Sequence, residues 1–274
     1  MAIDMSVDLI SATVQVEQPL GDGTRTVGTG FLLSDPTPDG KPRVVLVTAD
    51  HVFERMPGDK ATIGYRVRMA DGSWKFAPRK IAIRKDGREL WSHHASRDVA
   101  AIAIEAPPAF AKAAIPLAWL ADDQTFSRYG LAPGDEMMAL GFPRGLSSNN
   151  AGFPILRSGR VASYPLEPST AFPTFLLDFR VFPGNSGGPV YLEGGLHRHD
   201  GTPQAPDIQF VAGMLTQQVE VGDENLEIGI VTQAEFVRET VALLDQPVGT
   251  ATPAEPQVAR VAGAFGADSA ATSP

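Results

Sequence analysis

Apolar residues in this chain come in short runs, each closed by glycine, proline or aspartate. Such punctuation ends strands and breaks helices, and 27 glycines and 23 prolines in 274 residues supply it along the whole chain. The pattern predicts an all-β barrel or sandwich protein. First-half strands are expected over Leu9–Val16, Thr26–Leu33, Val44–Ala49, Thr62–Met69, Trp74–Ile83 and Val99–Ile104. Second-half strands are expected over Glu136–Phe142, Ile155–Ser163, Thr174–Phe179, Pro189–Leu192, Ile208–Gln217 and Leu226–Val231. Between them, Glu105–Gly134 carries four prolines (Pro107, Pro108, Pro116 and Pro133) and reads as a link. No internal repeat is visible.

One helix is expected near the end. Thr232 and Glu235 have the spacing of a capping box, and Val237, Val241 and Leu244 then recur on one face beside Phe236. From Gln246 to Pro274 the chain is rich in Ala, Pro, Gly and Thr, too poor in apolar surface to order itself. Val258–Phe265 is the one patch of that tail that reads as able to dock.

The run Val181-Phe182-Pro183-Gly184-Asn185-Ser186-Gly187-Gly188-Pro189-Val190 carries the chemistry. Glycines around a serine expose it and let a substrate approach the main chain closely. The amides of Gly184 and Ser186 can then face the oxygen of an attacked carbonyl, where each donor typically contributes roughly 2.7–4 kcal/mol to the transition state. Upstream, the apolar run Val44–Ala49 leads through Asp50 to His51, and Asp98 opens the run Val99–Ile104. A weakly acidic serine needs a base, and the base needs an orienting carboxylate. His93 and His94, close to Asp98, lack companions for a metal site and read as loop residues near the cleft.

The serine motif also satisfies the G-x-S-x-G elbow of α/β-hydrolases. That elbow needs a helix straight after the serine, whereas Pro189-Val190-Tyr191-Leu192 reads as a strand. The downstream histidines His197 and His199 lie in a stretch of turn formers and charge. Both features weigh against the elbow.

The ordered set Thr48-Ala49-Asp50-His51, Asp98-Val99-Ala100 and Gly184-Asn185-Ser186-Gly187-Gly188-Pro189 resembles the trypsin-like (chymotrypsin-fold) serine peptidases, in their bacterial, disulfide-free form. His51 and Asp98 are 47 residues apart, and Asp98 and Ser186 are 88 apart, which fits two successive barrels. The resemblance covers roughly Ser6 to Asp245. It implies two six-stranded antiparallel β-barrels with a C-terminal α-helix: residues 1–120 carrying His and Asp, 121–245 carrying Ser, and 246–274 a tail. It further implies that His51 is the general base, Asp98 its orienting carboxylate, Ser186 the nucleophile, and Gly184 with Ser186 the oxyanion hole. Gly28-Thr29-Gly30-Phe31 resembles a strand packed beneath the histidine, and Gly134–Pro143 the strand opening the second barrel. Gly213 falls in the strand expected beside the substrate backbone.

Two departures from that family's secreted members matter. Asn185 stands where they carry an aspartate that captures a freed N-terminal amine, so propeptide cleavage is not the expected switch. Arg180 lies in the segment that often lines the primary pocket. Pointing inward, it would favour an acidic substrate side chain; pointing outward, it would pair with an acid. Sequence leaves both open.

Composition limits the partners. A net charge of −9 gives no reason to expect nucleic acid or an anionic membrane, and no run approaches the roughly 20 apolar residues of a bilayer span. With no cysteine there is no disulfide and no thiolate metal site, which suits a reducing compartment. The start, Met1–Asp8, lacks the basic and apolar segments of a signal peptide. The expectation is a cytoplasmic serine endopeptidase without metal or organic cofactor, acting on protein or peptide substrates. Restricted specificity or a regulatory partner protein would control it, with the loops Pro36–Pro42, Asn149–Pro154 and Gly194–Pro206 as recognition elements. The competing expectation is a peptidase scaffold that binds peptides or a partner without cutting them.

Overall fold

A computed structural model describes residues 5–194, 209–221 and 224–246. His197, His199, the Gly195–Pro206 part of one expected loop, and the tail from 247 lie outside the described residues. The two-part antiparallel architecture read from the sequence is present. In the second half, six strands close into a barrel, in the order Glu136–Gly141, Ile155–Val161, Thr174–Asp178, Glu224–Gln233, Gln209–Val221 and Pro189–Glu193, the last pairing back with the first. In the first half, the order is Ser92–His93, Ala100–Ile104, Val44–Thr48, Arg25–Ser34, Thr13–Pro19, Lys60–Ile63 and Arg79–Ala82, and the sheet stays open between its two end strands. Alternation of buried and exposed positions, as in Ile155–Val161, follows the period of two that a sheet with one wet face requires.

Local differences from the sequence reading have identifiable causes. Leu9–Val16 is not one strand: Met5–Ala12 is a helix, and the strand is Thr13–Pro19. Met5, Leu9 and Ala12 are buried at helical spacing, and that period overlaps the start of the apolar run. Pro78 cannot donate to a ladder, and Trp74–Ile83 divides around it into Trp74–Phe76 and Arg79–Ala82. Thr62–Met69 likewise divides into Lys60–Ile63 and Arg66–Arg68. The link contains two short helices, Pro108–Ala113 and Thr125–Tyr129.

The C-terminal helix is Ala234–Ala242, and its buried face includes Phe236, Val237 and Val241. The capping box does not form. Thr232 ends up in the strand, opposite Thr174 and Met214, and Gln233 occupies the cap position without a side-chain capping bond. The Gln233 amide instead donates to the carbonyls of Leu166 and Phe172, at 2.7 Å each.

Arg66, 1% exposed, ties the halves together. Its guanidinium donates to the carbonyls of Ser11 (2.8 Å), Thr13 (2.9 Å) and, across the interface, Gly152 (3.0 Å). It also stacks on Phe110 and Phe153. The carbonyl at the end of the Met5–Ala12 helix supplies partial negative charge that suits a cation there. Burial nevertheless lowers the guanidinium to about 10.

Candidate active site

Strand register brings His51 and Asp98 together. Ala100 pairs with Thr48, so continuing the antiparallel strands by a few residues sets Asp98 beside the short helix Asp50–Glu54 that carries His51. Asp98 accepts from both the main chain and the ring of that residue, at 3.0 Å from His51 N and 2.6 Å from Nδ1. A carboxylate only accepts, so Nδ1 is the donor in this bond and Nε2 faces away from Asp98.

Asp50, next to His51, is a feature the sequence reading passed over. Its Oδ1 accepts from Trp91 Nε1 at 2.8 Å, and its Oδ2 lies 3.7 Å from His93 Nδ1. Burial pushes its carboxyl up to about 6, against the pull of the Trp91 bond and His93. His94 goes elsewhere: its Nε2 is 2.8 Å from Glu239 on the C-terminal helix. The two histidines are thus near the Asp98 loop, in separate pairs.

The Ser186 loop belongs to the second half but rests on the first. Thr29 N donates to Ser186 O at 2.8 Å. Gly187 has φ +91°, and a Cβ there would meet Thr29 O at 1.9 Å and Thr48 Oγ1 at 2.4 Å. Since Thr48 lies three residues before His51, this close backbone contact carries the serine to the histidine's end of the sheet.

Gly184 (φ +96°) is equally constrained, because a Cβ would sit 2.4 Å from Phe142 O. Pro183 O accepts from Arg144 N at 2.6 Å, and Asn185 O from Gly188 N at 3.0 Å. Across a trans peptide the next N–H points opposite to the carbonyl. The N–H groups of Gly184 and Ser186 therefore point away from these bonds, and neither donates to an acceptor among the described residues.

The Ser186 hydroxyl donates to Thr216 O at 3.0 Å and makes no hydrogen bond to His51. Thr216 is the extra residue where the pairing of Gln209–Val221 with Glu224–Gln233 slips between Leu215 and Gln217, so a bulge turns its carbonyl outward. Sequence reasoning missed Thr216, because bulges leave little trace in composition. Gly213 lies deeper in the barrel wall, paired with Val190 on one side and Gln233 on the other. Arg180 takes the outward arrangement: its guanidinium is 3.3 Å from Glu227, with both side chains more than half exposed. The Phe182 ring lies under Arg144, Arg157 and Arg180 at 5.1–5.6 Å. No cluster of metal-ligating side chains occurs among the described residues.

A family model for the trypsin-like peptidase domain matches residues 28–196, a span that holds His51, Asp98 and Ser186. The chain belongs to the trypsin-like peptidase family. No curated protein matches the sequence significantly. Among solved structures, the chain is similar to the HtrA-type protease AlgW with a tripeptide, at 15% identity and a TM-score of 0.49. That match covers 88% of this chain and 62% of the AlgW chain. It is also similar to the Rv3671c protease from M. tuberculosis in its active form, at 20% identity and a TM-score of 0.49, covering 92% of this chain and 89% of that one. The inactive form of Rv3671c gives 19% identity and a TM-score of 0.47, covering 88% and 93%.

Proposed function

We propose that this trypsin-like peptidase is a serine endopeptidase working through His51, Asp98 and Ser186. The observation that carries the reading is the 2.6 Å His51–Asp98 pair at the end of the sheet that receives a serine loop with two unengaged amides. In the proposed reaction, Ser186 Oγ leaves the Thr216 carbonyl and attacks the substrate carbonyl while His51 Nε2 takes its proton. The Gly184 and Ser186 amides hold the oxyanion. His51 then gives the proton to the leaving amine, and water, deprotonated by the same nitrogen, releases the acid and regenerates Ser186. Asp98 keeps the proton on Nδ1 and stabilises the imidazolium, and no step calls for a metal or organic cofactor.

We further propose that the substrates are one or a few proteins and that restricted specificity or a separate regulatory partner protein controls the activity. The absence of cysteine supports a reducing, cytoplasmic setting. Incubating the purified chain with a proteome-derived peptide library, beside Ser186→Ala, tests the function. Mapped cleavages from the wild type and none from the variant are expected; equal cleavage by both removes the mechanism. One observation favours a second reading, a peptide-binding scaffold without turnover: the Ser186 hydroxyl rests on Thr216 rather than on His51. Peptides bound by the wild type but never cut would support it.

A further inference from the structure

We propose that Thr29 and Arg144, neither of which belongs to the Ser186 loop, are positioning residues that hold the oxyanion hole in its open form. The inference rests on the reading of Gly184 and Ser186 as that hole. Gly184 creates the need. Without a Cβ, a glycine accepts either orientation of its flanking peptides, so the direction of its N–H has to be imposed by groups outside the loop.

Thr29 supplies the first hold. It sits wholly buried in Arg25–Ser34, in the other half of the molecule. Its hydroxyl donates to Gly184 O at 2.6 Å and accepts from Phe142 N at 3.0 Å, while its own amide donates to Ser186 O. One side-chain oxygen thus joins the serine loop to the turn beside it. Removing it would leave a buried carbonyl and a buried amide without partners.

Arg144 supplies the second hold. Its backbone is left-handed, at φ 52° and ψ 25°, a conformation that non-glycine residues keep only where the surroundings impose it. That conformation aims its amide at Pro183 O, 2.6 Å away, which turns the Gly184 N–H in the opposite direction. The side chain lies over Phe182, 5.5 Å from the ring centre. The following carbonyl, Gly145 O, accepts from Gln15 Nε2 of the first half at 3.1 Å. Both holds therefore reach back to the sheet that carries His51 and Asp98, and neither residue contacts the scissile bond.

The test compares Thr29→Val, Thr29→Ser, Arg144→Val and Arg144→Gly with the wild type in kcat, KM, and affinity for a peptide aldehyde whose hemiacetal oxygen occupies the hole. Thr29→Val is expected to lower kcat and aldehyde affinity together, by roughly 10- to 100-fold, less than the loss of a whole donor. KM should hardly move, and Thr29→Ser should restore activity. Arg144→Val should lower both in the same direction, whereas Arg144→Gly, at ease in left-handed backbone, should stay near wild type. Folded Thr29→Val with unchanged kcat and aldehyde affinity overturns the proposal, as does Thr29→Ser that stays as slow as Thr29→Val. If Thr29→Val does not fold, the exposed Arg144→Val decides, and wild-type values there overturn the proposal. Wild-type activity that survives Ser186→Ala would instead sink the underlying reading of the site.

Discussion

His51 and Asp98 are neighbours on one sheet, and the strand register that builds the sheet also builds the pair. The Ser186 loop is assembled differently. It leaves a closed barrel, crosses to the other half, and takes its shape from Thr29, Thr48, Phe142 and Arg144. The proposed acid–base pair is thus fixed by secondary structure, and the proposed nucleophile and its amides by contacts between distant parts of the chain. Changes at the pair should alter proton transfer and spare the fold, whereas changes at the loop should alter the oxyanion site.

The largest effect is expected on the locally built side. Asp98→Asn keeps the shape of the pair but favours the wrong tautomer, and should cut turnover by about 10⁴-fold with Tm nearly unchanged. A loss below about tenfold would mean that Asp98 does not orient His51. On the loop side, Gly184→Ala places a methyl against Phe142 O, 2.4 Å from the ideal Cβ, at a φ of +96°. Steady-state assays should show kcat lower by about 10²- to 10³-fold, the cost of one lost oxyanion donor.

The candidate serine, histidine and aspartate are legible because each lies in a short run whose neighbours announce it: a glycine turn, the end of an apolar strand, the start of another. What stayed hidden depends on partners far away in sequence. Nothing beside Thr29 signals that its hydroxyl reaches Gly184, and nothing beside Thr216 signals a bulge. Nothing beside Arg66 signals that the carbonyls of Ser11, Thr13 and Gly152 converge on its guanidinium. The capping-box spacing of Thr232 and Glu235 was real as a pattern, but barrel closure kept Thr232 in its strand.

A smaller effect separates stability from catalysis within the first half. Burial raises the Asp50 carboxyl from 3.8 to about 6, so the folded protein holds a proton that the unfolded chain releases earlier. The stabilising contribution is full below about pH 4 and is lost as pH rises through about 6. Asp50→Asn, neutral at every pH and still an acceptor for Trp91, should therefore be more stable than wild type at pH 8, by about 1–2 kcal/mol or roughly 3–6 °C in Tm. The two curves should converge near pH 4. A variant less stable than wild type at pH 8 would show that the charged form is the favoured one.

The smallest effect is expected at the outer edge of the serine loop. Arg180 and Glu227 are exposed, and exposed ion pairs contribute about 0–1 kcal/mol. Arg180→Gln should leave Tm and the mapped cleavage preference as they are. A switch in preference at acidic substrate residues would return Arg180 to the specificity site.

The central claim, that the two differently built parts meet to make one reactive serine, is tested most directly by labelling with a fluorophosphonate probe. The intact wild-type chain should form one adduct, located by peptide mass spectrometry at Ser186, and the labelling rate should collapse in His51→Ala. A folded wild-type chain that takes up no probe, or one labelled equally fast without His51, would contradict the account.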